Sequence, residues 1–433
     1  MSKFVLKLNR IFLMLAVAVG IIFLVCAFTP SVPNGVEVDG IAVGGMGRTQ
    51  AAELLRGKIE EELKEKKLEI IAPNKVYTFS FPEIYYKDNI YKLLKSAKKG
   101  DKLTVEKSYY LCGISSIAPN ICRNESISVV EPYYVFSSFS SPFTYFEGND
   151  GKEADGKKLI EDISNSLKGS FEPVTLTFKR VKREKTMGEV KRQTQKLASF
   201  TTNFDSSNIS RTSNIRLASN KLNGTVLEAG KTLSFNDIVG ARVKERGFLP
   251  AKIIENGEFV EGVGGGVCQV STTLYNAAVL SGLKISEYHP HSLAVGYVPP
   301  SRDAMVSGTS CDLKITNPFS CPVFIRAKTV GGSVTFDIYG LGGGARYSIV
   351  SEVTGVIVAP EEKTDDPEKA KTGKDGLTSV SYLTVTEGNS KKTVLFRKDK
   401  YGAVKKVVYE PAENQAETQA ETEDAETENG SEN

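Results

Sequence analysis

Four glycines in the five residues 262–266 run straight into a helical stretch with one apolar face (GVGGGVCQVSTTLYNAAVLSG, 262–282). Glycines allow positive φ and let another group approach the backbone closely. Val270, Leu274, Ala277 and Ala278 share the apolar face, and Gly282 is a natural C-terminal stop. Cys268 therefore sits in the first turn of a helix that leaves a glycine loop. The free N–H groups and dipole at such an end favour an anion, so the thiol loses its proton more readily and becomes a nucleophile. The same N–H groups, with those of Gly265, Gly266 and Val267, are candidate donors to the oxyanion of a tetrahedral intermediate. The competing reading is a buried core cysteine beside a tight turn.

Histidine is scarce: the 433 residues hold two, His289 and His291, both in the run YHPHS about twenty residues beyond the thiol. A helix followed by a return strand brings such a residue back beside the helix start. A thiolate–imidazolium pair needs that proximity and a third polar group to orient the ring. Asp303 is the candidate orienter and Arg302 a candidate carboxylate holder, with Asn276 and Asp312 as lesser choices. Gly264, Gly265, Gly266, Gln269, Ser271 and Thr272 join Arg302 as candidate substrate contacts. Cys268, His289 and His291 lack a fourth ligand at a recognisable zinc spacing, so no metal and no cofactor is expected.

Residues 11–28 carry no charge and follow Lys3, Lys7 and Arg10, which reads as a single-pass anchor at the cytoplasmic membrane with the bulk of the chain outside. The expected class is α+β, multi-domain and membrane-anchored. The anchor occupies 1–30, an α+β region 31–190, a mixed α/β region 197–340, a small β module without visible chemistry 353–409, and a disordered acidic tail 410–433. The tail holds nine acidic and no basic residues, which leaves a moderately basic body. The basic residues form no stripe with interleaved aromatics, so nucleic acid is not an expected partner. In 197–340 the pattern gives one clear helix and strands near Thr232–Phe235, Ala251–Ile254, Leu293–Val298, Leu313–Thr316 and Val323–Ala327. Cys112/Cys122 and Cys311/Cys321 each enclose nine residues, a loop that a local disulfide can close. Oligomeric state leaves no mark in the sequence.

The segment FNDIVGARVKERGFLPAKIIENGEFVEGVGGGVCQVSTTLYNAAVLSGLKISEYHPHSLAVGYVPPSRDAMVSG resembles the VanW family domain, and 200–224 is similar to that domain's start. Ser301 stands where the family usually has Gly in PPGRDA. The segment VEVDGIAVGGMGRTQAAELL resembles the opening of a putative peptidoglycan-binding domain found ahead of VanW and of L,D-transpeptidase domains. The resemblance implies cell-wall work, because some VanW-type members are regarded as L,D-transpeptidases with a cysteine nucleophile. It implies Cys268 as nucleophile, His291 or His289 as base, and peptidoglycan stem peptides as partner. A non-catalytic cell-wall-binding or accessory protein is the rival expectation.

Overall fold

The computed structural model describes residues 31–137, 141–255, 258–308 and 310–411. The chain is mixed α/β, with eight α-helices among the described residues and its strands in many small sheets. It divides into two units, one of residues 1–131 and 148–184, the other of 132–147 and 185–433.

In the first unit, helix α1 (Arg48–Lys64) buries Ala51, Ala52, Leu55, Ile59 and Leu63, the stripe expected of an amphipathic helix. The upper part of that stripe packs with Val36, Val38 and Val43 and with Ile90 and Leu94 of α2 (Ile90–Ser96). Leu63 belongs to a second core, which joins strand Leu68–Ile71 to α3 (Ile114–Glu125) and α4 (Gly156–Lys168) through Ile121, Leu159, Ile163 and Leu167.

The second unit is built on a four-stranded antiparallel sheet. Its order is Gln195–Asn203, Ser333–Gly340, Val323–Val330 and Thr225–Leu227. Short α5 (Met187–Arg192) precedes it, closed by a capping box between Thr186 and Glu189. On the sheet lie α6 (Ile209–Leu222) and α8 (Val267–Leu280). Nearly every side chain of α8 is buried, including the polar Gln269, Ser271, Thr272, Thr273 and Asn276. A helix enclosed all round must bond its polar groups internally, and this one does so around its N-terminal half. Five-residue α7 (Phe235–Val239) leads toward the hairpin Pro250–Glu255/Glu258–Val263, which delivers the glycine loop. Downstream, Arg346–Ile357, Gly376–Glu387 and Ser390–Tyr401 form a three-stranded antiparallel sheet.

Four expectations change. The single-pass placement at the membrane is corrected: among the described residues no helix is long and apolar enough to cross one. Residues 11–28, which carried that expectation, and most of the acidic tail lie outside the described residues. Residues 293–298 form no strand; the return strand is Lys284–Glu287, and His291 stands in the irregular chain beyond it. Region 197–340 holds α6 and α7 besides α8. The Ser- and Asn-rich α6 has weak helical propensity; its N-cap Asn208, bonded to the Arg211 N–H, and burial of Ile215, Ala218 and Leu222 stabilise it. Cys112, Cys122, Cys311 and Cys321 are free thiols.

Candidate active site

The glycine loop turns tightly onto α8. Gly264 and Gly266 have φ of 93° and 104°, and Gly266 caps the helix. A Cβ on Gly265 would lie 2.7 Å from the Ala251 carbonyl carbon, and one on Gly266 would lie 2.9 Å from Ile215 Cγ1. The loop is thus both conformationally and sterically restricted to glycine. Asn214 pins it from α6, its amide donating to the Gly265 carbonyl at 3.0 Å and to the Leu249 carbonyl at 2.8 Å. The Val267 N–H is engaged, donating to the Gly264 carbonyl at 3.1 Å. Those of Gly265, Gly266 and Cys268 meet no protein acceptor among the described residues.

Cys268 is half-buried as the second residue of α8, its thiol donating to the Val306 carbonyl at 3.3 Å. Burial pushes this thiol up, but the hydrogen bond and charge of His291 outweigh burial and hold it below its ordinary value, with Arg242 adding to the effect. His291 is 4% exposed. Its Nδ1 and its backbone N–H both bond Asp303 Oδ2, at 2.6 and 2.7 Å. With Nδ1 on the carboxylate, Nε2 is the ring atom left for the thiol. Burial alone would lower the imidazole; Asp303 and Cys268 together raise it to about 9. Asp303 is likewise raised by burial, but His291 and Tyr401 hold it at about 2.

Asp303 is itself braced. Tyr401 donates to Oδ1 at 2.6 Å, and Arg397 reaches the Asp303 carbonyl at 2.6 Å and Oδ1 at 3.4 Å. Both residues lie in the stretch where the sequence shows no chemistry. Tyr401 also accepts from the Ser301 N–H at 2.8 Å, and Ser301 has φ of 58°, the left-handed region that a glycine would occupy without strain.

The other sequence candidates divide clearly. His289 turns to Glu287 at 3.1 Å, and Glu287 is held at about 2 by Lys314 first and His289 second. The Asp312 carboxylate accepts from Ser234 and the Asn236 N–H, while its backbone N–H donates to the same Glu287 Oε1 at 3.2 Å. Gln269 is fully engaged: its Oε1 accepts from Arg211 at 2.8 Å, and its Nε2 donates to Thr202 and to the Asn203 carbonyl. Ser271 donates to the Ala304 carbonyl at 2.6 Å, and Thr272 accepts from the Ala304 N–H at 3.0 Å. These three are buried ties between α8 and its neighbours, which places their polar atoms inside the protein rather than at its surface. Arg302 lies over the Phe200 ring with Nε donating to Asn276 at 2.9 Å. Sequence reading missed Arg242, whose guanidinium lies over Phe235 and bonds Asn236. Its charge lies near enough to favour the thiolate.

Residues 210–339, which contain the loop, the thiol, both histidines and Asp303, match the family model described as VanW like protein. The chain carries a VanW-like domain. It is 45% identical over 146 residues to the uncharacterized protein YoaR of Bacillus subtilis, covering 34% of this chain and 48% of that protein. It is 30% identical over 113 residues to the vancomycin B-type resistance protein VanW of Enterococcus faecalis, covering 25% of this chain and 41% of that protein. The chain thus spans less than half the length of either relative. No solved structure matches it. The match stops at 339, whereas the brace on Asp303 comes from 397 and 401.

Proposed function

We propose that this protein is a cysteine acyltransferase of the cell wall, an L,D-transpeptidase that joins peptidoglycan stem peptides. The observation that carries the reading is the chain of contacts Cys268–His291–Asp303, set at the start of a helix whose glycine loop offers free N–H groups. That set of roles is the one a nucleophilic thiol requires. The relative named for vancomycin resistance points to the wall, the layer that antibiotic attacks.

In this mechanism the Cys268 thiolate attacks the carbonyl of the third stem-peptide residue. The N–H groups of Gly265, Gly266 and Cys268 receive the oxyanion. His291 gives its proton to the departing D-alanine amine, leaving a thioester on Cys268. A side-chain amine of a neighbouring stem then attacks the thioester and passes a proton to His291. The new amide is a 3–3 cross-link, and the thiolate is regenerated. Water in place of the amine yields a carboxypeptidase. Arg242, near enough to the thiol to favour its charge, joins Arg302 as a candidate for the donor's carboxylate; each gives one nitrogen to an asparagine, Asn236 and Asn276, and keeps others. Gln269, Ser271 and Thr272 act as supports of α8.

The test is incubation of the chain with disaccharide-tetrapeptide, read by mass spectrometry beside Cys268→Ala. A dimer lighter by one alanine, absent with the variant, is the expected result. Alanine loss without dimer assigns a carboxypeptidase. No product from folded protein overturns the reading and leaves a wall-binding or accessory protein.

A further inference from the structure

Strand Ser390–Tyr401 inverts the usual logic of a sheet face. Side chains two apart share a face, and here Arg397, Asp399 and Tyr401 all point inward, at 2%, 8% and 1% exposure. On the neighbouring strand their register partners Ser381 and Ser379 are fully buried too. A face made of polar groups is costly to bury unless each finds a partner. All but the Ser381 hydroxyl find theirs around one carboxylate and the turn before it. Arg397 bonds the Asp303 carbonyl and Oδ1 while its Nε holds Asp399 at 3.1 Å. Its guanidinium lies 4.4 Å from the Tyr288 ring centroid and 5.4 Å from that of Tyr275, so it is clamped between the histidine segment and α8. Tyr401 closes the set, bridging Asp303 Oδ1 and the Ser301 N–H, and Ser379 meets the Ser301 hydroxyl at 2.7 Å.

We propose that the C-terminal sheet completes the active site: Arg397 and Tyr401 are positioning residues that fix the Asp303 carboxylate and, through it, the His291 ring. The proposal rests on the Cys268–His291 pair being the working pair. The region matched by the family, 210–339, then supplies the reacting groups and Asp303, and residues beyond it hold that carboxylate in place. A carboxylate bonded through Oδ2 alone is free to rotate about its side-chain torsions. Bonds on Oδ1 and on the backbone carbonyl remove that freedom, so Nε2 stays aimed at the thiol. Loosening the brace weakens the thiolate–imidazolium pair and returns the thiol toward ordinary acidity.

The experiment measures the rate of Cys268 alkylation by iodoacetamide against pH in the full chain, with Tyr401→Phe and Arg397→Met beside wild type. Circular dichroism and a thermal melt establish which variants are folded. A structural role alone lowers the melting temperature and leaves the alkylation midpoint in place. The positioning role moves the midpoint upward by about one pH unit, roughly tenfold less thiolate on the acid limb. Arg397→Lys, which keeps the charge but not the planar fork, is expected to recover part of the shift. Tyr401→Phe removes a single hydroxyl, so it remains informative if Arg397→Met fails to fold. An unchanged midpoint in folded Tyr401→Phe overturns the proposal. Because alkylation needs no stem peptide, a shifted midpoint with no tetrapeptide product would sink the transpeptidase reading and leave the brace standing.

Discussion

His291 and Asp303 show how burial and bonding oppose each other within one pair. Burial disfavours both charges, yet the 2.6 Å bond between them keeps the imidazole at about 9 and the carboxyl at about 2. Replacing Asp303 by Asn removes the negative charge but keeps the size. The imidazole then falls from about 9, and iodoacetamide alkylation of Cys268 at pH 7 slows by roughly tenfold or more. His289→Gln, at a ring turned toward Glu287, leaves that rate unchanged, and an equal loss in both variants would contradict the assignment of His291. Ser301 tests a different balance. Its left-handed φ of 58° costs about 1–2 kcal/mol, which Ser301→Gly relieves. The same change orphans the buried Ser379 hydroxyl, at about 1–3 kcal/mol. The single variant is therefore expected to be near neutral or slightly less stable. Adding Ser379→Ala should raise the melting temperature above that of the single variant, and a further fall would refute this account.

At the scale of elements, the junction of glycine loop and α8 sets where the thiol points. Gly266→Ala meets both a φ of 104° and the Ile215 side chain at 2.9 Å. It should destabilise the protein by about 1–3 kcal/mol in chemical denaturation and slow alkylation as the helix start shifts. A silent substitution would show the loop to be less constrained than its geometry implies. This junction was legible in the sequence, because glycine clusters and helix periodicity are local signals. So was the nearness of Cys268 to a histidine, since only two exist. Choosing between those two was not legible: it depends on Met305 donating to the His289 carbonyl and on Asp303 receiving both His291 nitrogens. Gln269, Ser271 and Thr272, expected as substrate contacts, have their polar atoms engaged inside the protein. Polar residues following a thiol look like contacts until the helix proves to be buried on every side. The inward face Arg397-x-Asp399-x-Tyr401 did leave a trace, a period-two polar pattern in a strand. Its meaning depended on a partner some hundred residues earlier, and no local rule supplies that.

The whole molecule carries the site's ionisation as pH-dependent stability. Asp303 is depressed from 3.8 to about 2, so its contribution is fully present above about 3.8 and lost as pH falls through about 2. His291 is raised from 6.5 to about 9, so its contribution is present below 6.5 and lost as pH rises through about 9. Cys268 is lowered from 9.0, and its contribution grows over part of that same range. The alkaline effects offset each other, whereas the acid effect does not. The melting temperature of wild type should therefore fall below pH 4 more steeply than that of Asp303→Asn, which has no carboxylate to protonate. Parallel acid limbs would mean that Asp303 is not held as its bonds imply.

In the proposed mechanism Cys268 forms an acyl bond with a stem peptide, and intact-protein mass spectrometry reads this directly. The chain would be mixed with disaccharide-tetrapeptide at low pH, where an acceptor amine is protonated and the thioester survives longest. The expected result is an adduct equal to the donor less alanine, mapped to Cys268 and released by hydroxylamine. Folded protein with no adduct at Cys268, under donor excess and with its thiol still open to iodoacetamide, would contradict it.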